Sequence, residues 1–119
     1  MKIIFIIVFA ASLGFAQQTT KQTTQQYYSA LFSRGENWDS SKQPNEQPYF
    51  AEHGKNLKRL KDEGKIAIGS RFGDFGLVVI RSNSEQEVRS LFAGDSLVIK
   101  NILKMEIHKF NPFYKGCIE

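Results

Sequence analysis

The chain has 119 residues, 41% of them hydrophobic and 13% aromatic, with a formal net charge of +4. That length bounds one small domain, and along "KNLKRLKDEGK" the positive residues alternate with acids as on a solvated helix face, so no basic stripe suits a nucleic acid. A single cysteine, Cys117, has no partner within the chain, which excludes an internal disulfide and leaves the core alone to hold the fold.

The opening "MKIIFIIVFAASLGFA" places Lys2 before an apolar run that closes on the small-x-small pattern Gly14-Phe15-Ala16. This reads as a secretory signal peptide, residues 1–16, cleaved after Ala16. The run is shorter than the about 20 apolar residues that a membrane span needs, so no stable membrane insertion is expected after cleavage. The protein is expected to be exported, to a periplasm or the medium. Residues 17–26, "QQTTKQTTQQ", are low in complexity, lack apolar periodicity and read as a flexible leader.

The domain is expected over residues 27–119. "YYSALFSRG" is a run of aromatic and apolar residues ended by Gly35, which fits a strand. "ENWDSSKQPNEQP" follows as a polar loop, long for a compact domain, and such loops are often functional or mobile. A helix is predicted from Phe50 to Glu63, stopped at Gly64, with Phe50, His53, Leu57 and Leu60 on one face. "KIAIGSRF" and "GLVVIRS" read as two strands around a tight turn at Gly73-Asp74. "SEQEVRSLF" opens with Ser84 and carries Glu87 three positions on, a capping-box start, with Val88, Leu91 and Phe92 as its apolar face. "AGDSLVIKN" reads as a turn with a short helical piece, and "ILKMEIHKF" alternates Leu103, Met105 and Ile107 against Lys104, Glu106 and His108, a half-buried strand with His108 outward.

The order strand, helix, strand, strand, helix, strand predicts an α+β fold, the ferredoxin-like βαββαβ arrangement: a four-stranded antiparallel sheet with two helices on one face. About ninety residues bury a marginal fraction of their surface, so a homodimer through the uncovered face is expected.

Glycine-rich phosphate loops, paired cysteines and HExxH are all absent from the sequence, so it implies neither a cofactor nor a metal. Two titratable residues fall on inward faces. His53 lies on the first helix's apolar stripe, and Asp95, seven residues after Val88 and three after Phe92, continues the inward face of the second helix past its end. Both helices lie on one side of such a sheet, so the two can meet in the cleft below them. A carboxylate that accepts a hydrogen bond from one imidazole nitrogen fixes the tautomer and makes the other a workable general base. Taken singly, His53 fits a core histidine bonded to a backbone carbonyl and Asp95 a turn cap in "AGDS". Arg34 and Trp38 flank the first loop and could line a pocket, and Ser70, Arg71 or Arg34 are candidates for an oxyanion-stabilising donor.

"YYSALFSRGENW", "AEHGKNLKRL", "DEGK", the strand pair and "GDSLVIKN" leading to "MEIH" resemble a YCII-related domain, a branch of the dimeric α+β barrel proteins, over residues 27–114. The resemblance implies a dimeric α+β barrel and a proposed active-site pair of His and Asp, at positions matched by His53 and Asp95. One branch of that family is similar to a lyase that eliminates chloride from a hydroxylated aromatic ring. Two departures bear on pocket shape: "GSRF" lacks the family's proline, and "DS" stands where "DP" is usual. The expected function is a lyase-like or isomerase-like enzyme on a small aromatic or enolisable molecule. A module that only binds a small ligand in the same cleft, or a structural partner domain with a vestigial site, is the alternative.

Overall fold

The computed structural model describes residues 10–14 and 24–116. The expected signal peptide and leader therefore lie largely outside the described residues, and Cys117 lies outside them altogether.

Four strands form one antiparallel sheet: β1 (Tyr27–Arg34), β2 (Ile66–Phe72), β3 (Phe75–Arg81) and β4 (Leu103–Lys109), in the order β2-β3-β1-β4. Helix α1 (Phe50–Asp62) connects β1 to β2; α2 (Glu85–Leu91) and α3 (Ser96–Ile99) connect β3 to β4. The fold is α+β with three α-helices among the described residues: beside the two helices expected on the sheet, Asp95 starts the short helical piece expected in "AGDSLVIKN". It is compatible with a ferredoxin-like arrangement.

Local chemistry explains the boundaries. Glu63 caps α1 through its N–H, and Gly64 follows in the left-handed region at φ 74°, where a side chain would be strained. Gly73 at φ 54° takes the first position of the two-residue β2–β3 turn, the type II′ requirement. Ser84 Oγ accepts the Glu87 N–H at 3.1 Å, as the capping signature predicts. The reciprocal half differs: the Glu87 carboxylate accepts from the N–H of Asn83, while the Ser84 N–H donates to Ser82 Oγ.

The core sits between the helices and one sheet face. Ala30 and Phe32 of β1, Val78 and Ile80 of β3 and Ile107 of β4 pack against Leu60 of α1, Val88 of α2 and Phe92, which caps α2. Each of the Val, Leu, Ile and Phe side chains among them, fully buried, contributes about 1.5–3 kcal/mol. On the opposite sheet face β4 presents Lys104, Glu106 and His108, whereas Ile68, Phe72 and Phe75 at the β2–β3 end stay 42%, 50% and 41% exposed. Among the described residues no helix is long and apolar enough to cross a membrane.

Candidate functional site: a buried His–Asp pair at the back of a cavity

α1 presents Phe50, His53, Leu57 and Leu60 at helical spacing toward the sheet, and His53 and Leu60 are buried. Tyr49 precedes them in the left-handed conformation, φ 64°, and turns the chain from the preceding loop into the helix. The His53 ring stands edge-on to Phe32 of β1, with centroids 5.2 Å apart and planes at 78°. Phe32 in turn packs edge-on against Phe92. The imidazole is thus held on its apolar sides by packing.

Its polar side meets Asp95. His53 Nδ1 lies 2.5 Å from Asp95 Oδ2, and the Asp95 side chain is fully buried. A carboxylate only accepts, so Nδ1 carries the hydrogen. The second carboxylate oxygen, Oδ1, accepts the Leu97 N–H at 3.1 Å and caps α3. Asp95 is therefore both the helix cap and the imidazole partner that the sequence left as alternatives. One N–H fixes one oxygen and leaves the other aimed at the ring.

A cavity of about 440 Å³ opens beside the ring, and His53 lines it. Every buried side-chain nitrogen or oxygen among the described residues has a partner, and the His53 ring has only Asp95, so Nε2 is not sealed in the interior. With Nδ1–H donating to Asp95, the lone pair at the cavity belongs to Nε2. The remaining wall is mainly apolar: Phe50 and Leu57 from α1, Trp38 and Pro44 from the loop after β1, and Leu103 from β4.

The other residues singled out from the sequence also border this cavity. Arg34 donates to Asp74 at 2.9 Å and lies over the Trp38 ring, 5.2 Å from its centroid. Arg71 reaches it from β2. Ser70 borders it as well, from the other side of the strand. Ser70 pairs with Leu77, whereas Gly69 pairs with the core residue Val78, so the register puts the Ser70 side chain on the sheet face away from His53.

Sequence reasoning missed the residues that hold the loop. Gln47, buried, accepts the Asp39 N–H at 3.1 Å and donates to the carbonyls of Asp39 and Lys42 at 2.7 and 3.4 Å. The long polar loop is thus held by its own hydrogen bonds and contains a single 3₁₀ turn at Pro44–Glu46. Its start is clamped to the end of α3: Gly35 N–H donates to Ile102 and Asn37 N–H to Asn101, both at 2.9 Å. The only sequence signal was a Gln inside a polar loop, which burial alone distinguishes from its solvated neighbours.

Among the described residues no group of three His, Cys, Asp or Glu side chains is arranged to hold a metal ion. Compared with protein-family models, curated proteins and solved structures, the chain finds no match, so the YCII resemblance stands on the quoted residues alone.

Proposed function

We propose that this protein is an exported, YCII-like homodimer of the dimeric α+β barrel type, and a lyase or isomerase that acts on a small aromatic or enolisable molecule. His53 is the general base and Asp95 its orienting partner. The observation that carries this reading is the ring itself: Nδ1 bonded to a fully buried carboxylate, with the other nitrogen left to a cavity. Nε2 takes a proton from an acidic C–H, leaving an enolate and an imidazolium whose charge Asp95 offsets. Asp74, the one carboxylate on the cavity wall among the described residues, is already engaged by Arg34. The same imidazolium therefore returns the proton, either to another carbon, which isomerises the ligand, or to a leaving group, which completes an elimination.

The experiment is hydrogen–deuterium exchange of phenylpyruvate, an enolisable aromatic probe, followed by NMR in D₂O. The protein accelerates loss of the CH₂ signal, and His53→Asn abolishes the acceleration, an effect on the order of 10²–10⁴-fold for a positioned base. Equal exchange with and without active protein overturns the enzymatic reading. A small-ligand-binding module is then favoured by the mainly apolar wall and the Arg34–Trp38 stack, which need no proton transfer.

A further inference from the structure

We infer that Arg71 is the anion-binding residue of this cavity and that its ligand is a small, flat carboxylate with an apolar body. This names the ligand class of the site proposed above, and it rests on the general-base reading only for what happens after binding.

The carrying observation is an irregularity in β2. Ile66 pairs with Ile80 and Ile68 with Val79, so Ala67 is an extra residue in the strand. Simple alternation would put Ile66, Ile68 and Ser70 on the helix-facing side and Arg71 on the other. The bulge inverts this order. Beyond it Gly69 opposes Val78 and Arg71 opposes Gly76, and Gly76 opposes Phe32 on the next strand. Directly opposed residues share a face, so Arg71, Gly76 and Phe32 form one row beneath the helices. The chain leading into the bulge is held from outside: Arg81 Nη1 donates to the carbonyls of Gly64 and Ile66, both at 3.0 Å.

The row has a gap where a ligand fits. Two strand spacings separate Arg71 from Phe32, roughly 10 Å between Cα atoms, and the residue between them has no side chain. A Cβ at Gly76 would contact Phe32 at 3.8 Å, and one at Gly69 would meet nothing within 4 Å. A flat body can lie on this strip, with Arg71 at one end and, at the other, Phe32 carrying the edge of His53.

Charge selects the ligand. Asp74 neutralises Arg34, whereas Arg71 has no hydrogen bond or ion pair among the described residues. The wall thus carries one uncompensated guanidinium, whose planar fork matches a carboxylate with two parallel N–H···O bonds. A phosphate ester calls for several free cations, and among the described residues this wall carries one. A cavity of about 440 Å³ suits one ring with a short acid arm.

The test compares phenylacetate with phenylacetamide, equal in shape and different in charge, by NMR titration of the protein. Phenylacetate is expected to bind saturably, with shifts at Gly69, Arg71 and Phe32, and the amide on the order of tenfold more weakly. Arg71→Gln removes the acid's advantage and leaves amide binding unchanged; Gly69→Leu, which fills the strip, blocks both. Equal affinity for acid and amide, an unaltered acid affinity in Arg71→Gln, or no saturable binding of phenylacetate overturns the inference. Binding that depends on Arg71, without proton exchange on phenylpyruvate, sinks the general-base reading and leaves this one standing. Exchange that survives Arg71→Gln at unchanged probe affinity does the reverse.

Discussion

Asp95 reaches across 42 positions of sequence to His53, with one carboxylate oxygen on the ring and the other on the N–H that begins α3. The two bonds make the orientation of the imidazole depend on a helix start, and they separate the effects of two substitutions. Asp95→Asn keeps an oxygen for the Leu97 N–H but turns an amide donor toward Nδ1–H. The expected outcome is a folded protein, destabilised by about 1–3 kcal/mol, in which ¹⁵N chemical shifts show the hydrogen moved from Nδ1 to Nε2. Asp95→Ala loses the cap as well and costs more, about 3–5 kcal/mol in urea unfolding. An unchanged tautomer in Asp95→Asn would remove Asp95 as the orienting group.

Gly35 makes a contact that no other residue can make. A Cβ there would lie 2.1 Å from the carbonyl oxygen of Asn101, so Gly35→Ala must push apart the two loops that carry Trp38 and the end of α3. A loss of about 1–3 kcal/mol is expected, with chemical-shift changes at Trp38. Wild-type stability in the variant would show the clamp to be loose.

Asp39 provides a pH signature for the loop. Its carboxyl is held below the ordinary value of 3.8, first by the Ser41 hydroxyl and then by the Ser41 N–H; desolvation opposes them, and Lys42 adds a smaller lowering effect. A lowered folded-state value means that the unfolded chain binds the proton more readily. The stabilisation is therefore present above about pH 3.8 and fades as pH falls through the lower folded value. Ser41→Ala removes the largest cause, and a carboxyl ¹³C titration should then place Asp39 nearer its ordinary value. Identical titration curves would dismiss the hydroxyl as the cause.

The face of the sheet away from the helices tests the dimer. Phe72 and Phe75 stack there with centroids 5.6 Å apart, beside the exposed Ile68. Light scattering of the protein lacking residues 1–16 should give about twice the monomer mass, and Phe72→Lys should return it to the monomer. A monomer at micromolar concentration in the wild type would end the proposal.

Export is tested at the N-terminus. The apolar run after Lys2 and the ending Gly14-Phe15-Ala16 predict a mature protein that begins at Gln17. N-terminal sequencing from the native host reads this directly, and Met1 on extracytoplasmic protein would count decisively against it.

Much of the fold was legible because its causes are local. The stripe of Phe50, His53, Leu57 and Leu60 emerges as the buried side of α1, Gly64 and Gly73 take the positive φ angles their positions required, and Leu103, Met105 and Ile107 face the core from β4. The meeting of His53 with Asp95 was legible as a direction, since both lie on inward faces. The distance, and the second bond to Leu97, were not.

What only the tertiary structure decided lies in pairings between distant segments. Ser70 and Arg71 are adjacent, and alternation along β2 assigns them to opposite faces without error, but which face each takes depends on the extra residue at Ala67. That bulge leaves no mark in the Ile-rich local sequence: it is set by how β2 pairs with β3 and by an arginine fifteen positions from the carbonyl it holds. Gln47 likewise looks like any polar loop residue until folding buries it beneath Asp39 and Lys42. Periodicity encodes which residues share a face because that follows from backbone geometry alone. Register, bulges and buried polar clamps follow from long-range hydrogen bonds, which exist only once the chain has closed on itself.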